Sequence, residues 1–87
     1  MHNKLEMMRI FCVASESRNF KEAATQLGIS PQAVTRAIKE LEEQRGEILF
    51  YRSTRQIKIT ADGERLAKQA RFAVGSIDAL FVKDTKE

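Results

Sequence analysis

Residues 20–45 contain two amphipathic segments separated by only a short turn, and this spacing restricts how the chain can fold. The first segment follows Asn19 and ends at Gly28, the residue type that commonly stands just past a helix end. The second opens with Ser30 as N-cap and Pro31 at the first helical position, where the missing N–H costs nothing. Two helices joined through the turn GISP predict a helix-turn-helix.

Apolar spacing predicts which helical faces are buried. A first helix is expected from about Lys4 to Ser17, with Asn3 as N-cap. The side chains expected to point inward from the first helix are Leu5, Met8, Phe11 and Cys12, and its apolar surface is widened by Ile10, Val13 and Ala14. Those of the second helix are Phe20, Ala23, Ala24 and Leu27, and those of the third are Val34, Ala37, Ile38 and Leu41. Ile29 is expected to return to the core, and Glu42 is expected to pair with Arg45 on the solvent side.

The period changes between Ile48 and Thr60, in the segment ILFYRSTRQIKIT. Ile57 and Ile59 alternate with polar residues, which predicts a small two-stranded hairpin with its tip near Ser53–Arg55. The charged residues of this hairpin are all basic, namely Arg52, Arg55 and Lys58. A basic hairpin of this kind can lie along phosphates, and positive charge can equally protect the edge of a small sheet.

A last helix is expected from Thr60, as N-cap, to about Val82. Five of its apolar residues are spaced by four, three, four and three positions, which is typical of a coiled-coil seam: Leu66, Ala70, Ala73, Ile77 and Leu80. Gly75 is a weak point in this helix. The helix is too long for one small domain to cover, so part of the seam is expected to contact a second copy.

The totals fit a small globular protein. The 87 residues suggest one domain, and 43% hydrophobic with 31% charged residues is not a disordered composition. The net charge of +3 permits an anionic partner without requiring one. A lone cysteine, Cys12, forms no internal disulfide and is expected in the core, and the sequence indicates no cofactor, metal ligand set or membrane-spanning segment.

The sequence resembles the N-terminal DNA-binding domain of the LysR-type transcriptional regulators over nearly its whole length. The residues that carry the resemblance are Met8-x-x-Phe11-x-x-Ala14, Asn19-Phe20, Ala23-Ala24, Leu27, Ser30–Ile38 (SPQAVTRAI), Leu41-Glu42, Gly46, Leu49-Phe50-x-Arg52 and Thr60-x-x-Gly63. The resemblance implies a mainly α winged helix-turn-helix over residues 1–60 and a linker helix over residues 61–87. The family carries an effector domain after that helix, so a chain ending at Glu87 is expected to be an isolated DNA-binding domain.

The resemblance also implies which residues touch DNA. Gln can read adenine, Arg can read guanine and a Thr methyl can touch thymine, so the polar face of the third helix is expected in the major groove. The expected DNA-binding residues are Ser30, Pro31, Gln32, Ala33, Thr35, Arg36 and Lys39 on the helix, and Arg52, Ser53 and Arg55 on the wing. Ser30 can also be a plain N-cap, and Arg52 can be structural.

The implied partners are double-stranded DNA with dyad symmetry and a second copy of the chain. In the family the linker helix pairs with its mate, and a full-length protein can form a dimer of dimers. The predicted dimerisation residues are Leu66, Ala70, Ala73, Ile77 and Leu80. No membrane or small-molecule partner is expected for this segment, and a bacterial cytoplasmic, nucleoid-associated protein is expected.

Other functions remain open from the residues alone. Another winged-helix regulator, such as a molybdate-sensor-like N-terminal domain, fits less well because of the wing motif Leu49-Phe50-x-Arg52. A winged-helix interaction or dimerisation module that does not touch DNA is the alternative from a different class. An enzyme is not expected, because no Ser/His/Asp set, nucleotide-binding loop or CxxC is present in the sequence.

Overall fold

The chain folds as four helices and a two-stranded antiparallel sheet in a computed structural model, which describes residues 3–51 and 56–82. The elements in chain order are α1 (Lys4–Ser15), α2 (Phe20–Leu27), α3 (Pro31–Arg45), β1 (Phe50–Tyr51), β2 (Lys58–Ile59) and α4 (Ala61–Ala79). Phe50 pairs with Ile59 and Tyr51 with Lys58. This arrangement is the predicted winged helix-turn-helix followed by a long helix.

Each helix begins directly after a residue whose side chain caps it. Asn3 and Asn19 accept hydrogen bonds from the backbone N–H groups three residues on, at 2.6 and 2.8 Å. Ser30 does the same for α3 and Thr60 for α4, at 3.1 and 2.9 Å. Gly28 ends α2 with φ of 71°, a left-handed conformation that favours glycine, and so turns the chain sharply towards α3.

One hydrophobic core joins all four helices and the first strand. Its buried members are Met7, Ile10, Phe11 and Ala14 of α1; Ala23 and Ala24 of α2; Val34, Ala37, Ile38 and Leu41 of α3; Leu49 and Phe50; and Leu66, Ala67 and Ala70 of α4. The Phe50 ring packs edge-on against Phe11 and Phe20, with ring centroids 5.7 and 5.5 Å apart. The first half of α4 is therefore part of the same core as the helix-turn-helix.

Two core predictions were wrong in detail. On α1 the buried face is built from Met7, Ile10, Phe11 and Ala14, whereas Leu5 is 36% exposed and Met8 only partly buried. Because α1 is apolar on several sides, its spacing alone did not select the face. Ile29 is also 36% exposed, because it follows the left-handed Gly28 in the turn and points outward.

Glu42 is buried, which corrects the prediction that it pairs with Arg45 in solvent. Its carboxylate accepts hydrogen bonds from the backbone N–H groups of Leu49 and Phe50, at 2.8 and 3.2 Å. Arg45 instead pairs with Glu47 at 2.9 Å. The acid thus attaches the start of the wing to the end of α3 and satisfies two buried backbone donors.

Candidate nucleic-acid interface

The exposed face of α3 gathers the predicted contact residues into one surface. Gln32, Arg36 and Lys39 are exposed and Thr35 is half-buried, while Val34 on the opposite side is fully buried. A depression of about 490 Å³ is lined by Pro31, Gln32, Thr35, Arg36 and Lys39. Three residues that can read base edges, Gln32, Thr35 and Arg36, therefore lie side by side with a further cation, Lys39. This set of five lining residues is called the α3 reading face below.

The start of α3 is open to solvent next to the reading face. Ser30 and Pro31 are exposed and Ala33 is half-buried, and the Ser30 hydroxyl accepts from the Ala33 N–H at 3.1 Å. The first turn of a helix carries backbone N–H groups without helical partners, and the helix dipole favours an anion there. This end of α3 is suited to a phosphate group beside the base edges.

The cations of the reading face, Arg36 and Lys39, are followed by acidic residues further along α3. A second depression, of about 560 Å³, runs on from Arg36 and Lys39 and is lined further along by Glu40, Glu43 and Gln44. The surface thus changes from basic to acidic along one helix. Because a phosphate backbone repels carboxylates, the N-terminal half of α3 is the part that can approach DNA closely.

Hydrogen bonds hold the base of the wing on both strands. Glu42 of α3 holds the first strand, as described above. The Thr60 hydroxyl donates to the Ile48 carbonyl at 2.8 Å, and the Thr60 N–H donates to the Leu49 carbonyl at 2.9 Å. The Ile57 N–H donates to the Arg18 carbonyl at 3.3 Å, which ties the second strand to the turn before α2.

Lys58 is the wing cation that the structure describes, and it is exposed. The predicted wing residues Arg52, Ser53 and Arg55 lie outside the described residues. They are flanked by Tyr51, which is 57% exposed, and by exposed Gln56. Sequence analysis did not identify Glu42 as the residue that positions this wing, because its partners lie seven and eight positions further along the chain.

The predicted dimerisation seam on α4 divides into two parts. Leu66 and Ala70 are only 5% and 3% exposed and belong to the core of one chain, so a partner chain cannot reach them. Their burial favours a core role over the predicted role in the interface. Ala73 is exposed, Ile77 is half-buried and Leu80 is 81% exposed. These three remain predicted contacts with a second copy.

The second half of α4, with Leu80 after it, exposes a strip of which the sequence analysis predicted only Ala73 and Leu80. Phe72 is 79% exposed and Leu80 is 81% exposed, and the residues between them on the same side are small. Phe72 and Ala79, like Ala73 and Leu80, are seven positions apart, so each pair lies on one face. The strip consists of Phe72, Ala73, Ser76, Ala79 and Leu80, all exposed, and is called the outer strip. The run Gln69-x-x-x-Ala73-x-x-Ser76-x-x-x-Leu80 was its sequence signal.

Two ion pairs join α4 to α1. The Arg9 guanidinium forms a two-pronged contact with the Asp78 carboxylate, with one N–O distance of 3.1 Å. Arg71 lies 3.6 Å from Glu16. The hydrogen bond from Arg9 lowers the pKa of Asp78 below its ordinary value, and that bond raises the pKa of Arg9. Burial, the largest cause, raises the pKa of the Cys12 thiol, which lies on α1 between these pairs.

The part of the chain that the structure describes offers little for other chemistries. Among residues 3–51 and 56–82, no three His, Cys, Asp or Glu side chains come together in a group that could hold a metal ion. Over the same residues, no helix has the length and apolar character needed to cross a membrane.

Comparison with known sequences identifies one family. The model of a family described as bacterial regulatory helix-turn-helix protein, lysR family, matches residues 5–64. An HTH-type transcriptional regulator of Escherichia coli K12, YbhD, is 38% identical over 78 residues, which are 90% of this chain and 25% of that protein. The transcriptional activator IlvY of Haemophilus influenzae is 39% identical over 74% of this chain and 22% of its own length. The chain thus spans about a quarter of the length of these curated relatives.

Solved structures resemble the fold closely. The BenM DNA-binding domain in complex with catB site 1 DNA superposes with a TM-score of 0.86 at 29% identity, covering 91% of this chain and 89% of that chain. The DNA-binding domain of CbnR in its DNA complex gives a TM-score of 0.85 at 28% identity, with 88% of both chains covered.

Proposed function

Because the chain belongs to the LysR family of bacterial regulatory helix-turn-helix proteins, we propose that it regulates transcription by binding a specific DNA duplex as a homodimer. Residues 1–60 bind the DNA and residues 61–87 pair the two copies. The relatives at hand are transcriptional regulators, and two similar structures are DNA complexes. The protein acts in the bacterial cytoplasm, at the nucleoid, and performs no catalysis.

The observation that carries this function is the α3 reading face. Its apolar side is fixed in the core through Val34 and Ile38, so the direction of its polar side is set by the fold. An α-helix fits the major groove, where Arg36 can bond to guanine and Gln32 to adenine. Thr35 can contact a thymine methyl, and Lys39 neutralises backbone charge.

Phosphate contacts fix the register of the reading face on the duplex. Ser30 and the backbone N–H groups of the first turn of α3 bind one phosphate, with Pro31 and Ala33 packed against the strand. Arg52, Ser53 and Arg55 of the wing hold flanking backbone or enter a minor groove. Each phosphate contact releases counterions, so the affinity falls steeply as salt rises.

The outer strip of α4 pairs the two copies. Its small residues Ala73, Ser76 and Ala79 let two helices approach closely, and Phe72 and Leu80 supply apolar area. Ile77 borders the strip and contributes its half-exposed side chain. A symmetric dimer places two copies of α3 on one side of the DNA, so the site has dyad symmetry.

Selection from a pool of random-sequence duplexes, with affinities measured at several salt concentrations, tests the function. We expect a dyad-symmetric enriched site and a steep salt dependence. An unenriched pool would favour the alternative, an interaction module that uses α4 but not DNA. That alternative also predicts that charge reversal at Arg36 and Lys39 leaves function intact.

The role of Arg36 is tested on the selected site. Arg36→Ala is expected to cost about 1–3 kcal/mol of binding free energy and to relax the preference at one base pair. Gln44→Ala is the matched control, because Gln44 is also exposed on α3 but lies in the acidic half. Equal losses for Arg36→Ala on the selected and on a scrambled duplex would show that Arg36 does not read a base.

A further inference from the structure

The second half of α4 lies outside the buried core, with Val74 and Ile77 half-buried, and two ion pairs join it to α1. After Ala70, the described residues of α4 that pair with other elements are Arg71 and Asp78, which contact Glu16 and Arg9. Arg9 and Glu16 are seven residues apart, and so are Arg71 and Asp78. The earlier residue of one pair contacts the later residue of the other, so the order along the two segments is reversed. Seven residues are about two helical turns, or about 10 Å. The helices thus run antiparallel, with one ion pair at each end of this contact.

We propose that these two ion pairs set the angle between α1 and the second half of α4, and thereby the spacing between half-sites that the dimer accepts on DNA. This inference rests on the dimeric DNA binding proposed above. Two contacts about 10 Å apart determine a crossing angle, whereas one contact allows rotation about it. The two-pronged contact between Arg9 and Asp78 further restricts how α4 can turn, because a guanidinium matches a carboxylate in one plane.

The angle affects the position of α3 because α1 and α3 are packed together. Phe11 and Ile10 of α1 are buried in the same core as Val34 and Ile38 of α3, so α1 and the reading face move together. The outer strip lies on the same stretch of α4 as the two ion pairs. A change of angle between α1 and the second half of α4 therefore shifts both reading faces relative to the dimer axis, in opposite directions.

The ion pairs can favour one angle without fixing it rigidly, because they are exposed. The side chains of Arg9 and Asp78 are 42% and 50% exposed, and those of Arg71 and Glu16 are 45% and 62% exposed. Exposed pairs are weak and are screened by salt, in contrast to the close packing of Leu66 and Ala67. Their loss therefore changes the direction of the second half of α4 and leaves the core, including Leu66 and Ala67, intact.

Charge reversal and charge exchange test the inference with the 87-residue chain. The variants are Arg9→Asp, Asp78→Arg and the double exchange, and Asp78→Asn breaks the pair with a smaller change of charge. Arg65→Asp is the matched control, because Arg65 pairs with Asp62 inside α4 and its reversal changes the net charge equally. Affinity is measured on duplexes that carry two selected half-sites at a series of spacings, and on a duplex with one half-site.

We expect the single variants to lose about two- to fivefold of the wild-type preference for one spacing, the range of an exposed ion pair. The double exchange restores the preference, and Arg65→Asp keeps the wild-type preference. The affinity for a duplex with one half-site is the same in all variants. If the single variants kept the wild-type spacing preference, or if the double exchange did not restore it, this inference would be overturned while the proposed function would stand. A wild-type chain that selects no paired half-sites would overturn the proposed dimeric function and the inference with it.

Discussion

Residues 61–70 and 71–79 of α4 form one helix but differ in what covers their apolar side chains. In the first half, Leu66 and Ala70 are buried against the rest of the same chain. Phe72 in the second half and Leu80 directly after it are about four-fifths exposed, and two exposed ion pairs join this half to α1. The difference teaches that the first turns of this helix serve folding, and the proposed function assigns association to its last turns.

The largest expected effect is the loss of Leu66 from the core. Leu66→Ala removes a side chain that is 5% exposed, and truncating a buried leucine costs about 2–5 kcal/mol of the free energy of unfolding. Chemical denaturation at several protein concentrations measures this cost. Lys68→Ala is the control, because Lys68 lies in the same half but is exposed. A loss as small as that of the control would mean that the first half of α4 is not core.

The matching substitution in the second half is expected to act on association. Leu80→Ser leaves the fold intact but weakens dimerisation by about tenfold or more, because an apolar contact is lost from both chains. Sedimentation equilibrium measures the dimer constant, and circular dichroism checks the fold. Val82→Ser is the control, since Val82 is 72% exposed but lies beyond the outer strip. Unchanged association would remove the outer strip from the interface.

Thr60 tests the junction between the wing and the first half of α4. Its hydroxyl accepts from the Gly63 N–H at 2.9 Å and donates to the Ile48 carbonyl at 2.8 Å. Thr60→Ala is expected to cost about 0.5–2 kcal/mol of the free energy of unfolding, the usual cost of a lost N-cap. Thr60→Ser keeps the hydroxyl and should retain most of the stability. Equal losses in the two variants would assign the effect to the methyl group.

The smallest expected effect comes from comparing a glycine-to-alanine substitution in each half of α4. Gly75→Ala should stabilise α4 by about 0.5–1 kcal/mol, because a Cβ at Gly75 would meet no other atom within 4 Å. Gly63→Ala should destabilise, because a Cβ there would overlap the Leu49 carbonyl oxygen and lie 2.6 Å from Ile59 Cγ1. Thermal unfolding of both variants measures the two signs. A destabilising Gly75→Ala would contradict the open surroundings of the second half.

The elements that the sequence predicted well are those with local signals. Asn3, Asn19, Ser30 and Thr60 cap the four helices as expected, because a cap depends on backbone groups only two or three residues away. Gly28 and Gly46 end α2 and α3 in the left-handed conformation for the same reason. The winged helix-turn-helix follows from these local signals together with the resemblance.

The features that the sequence did not reveal depend on distant parts of the chain. Glu42 has the spacing of a solvent-facing residue, and its burial depends on the backbone of Leu49 and Phe50 folding back over it. The spacing of Leu66, Ala70 and Leu80 shows an apolar face but cannot say whether the same chain or a second copy covers each part. The reading face was predictable, because the apolar residues on the opposite side of α3, such as Val34, Ile38 and Leu41, have regular helical spacing. Its contacts with DNA remain a prediction.

The anchored base of the wing has a consequence for how such a domain can diversify. Glu42 holds the first strand and Thr60 joins it to the start of α4, so both ends of the hairpin are secured independently of residues 52–55. Substitutions or insertions between Tyr51 and Gln56 are therefore expected to leave the position of α3 unchanged. Under the proposed function, this segment can change the preference for DNA beside a half-site as a separate unit, while α3 keeps its own base preference.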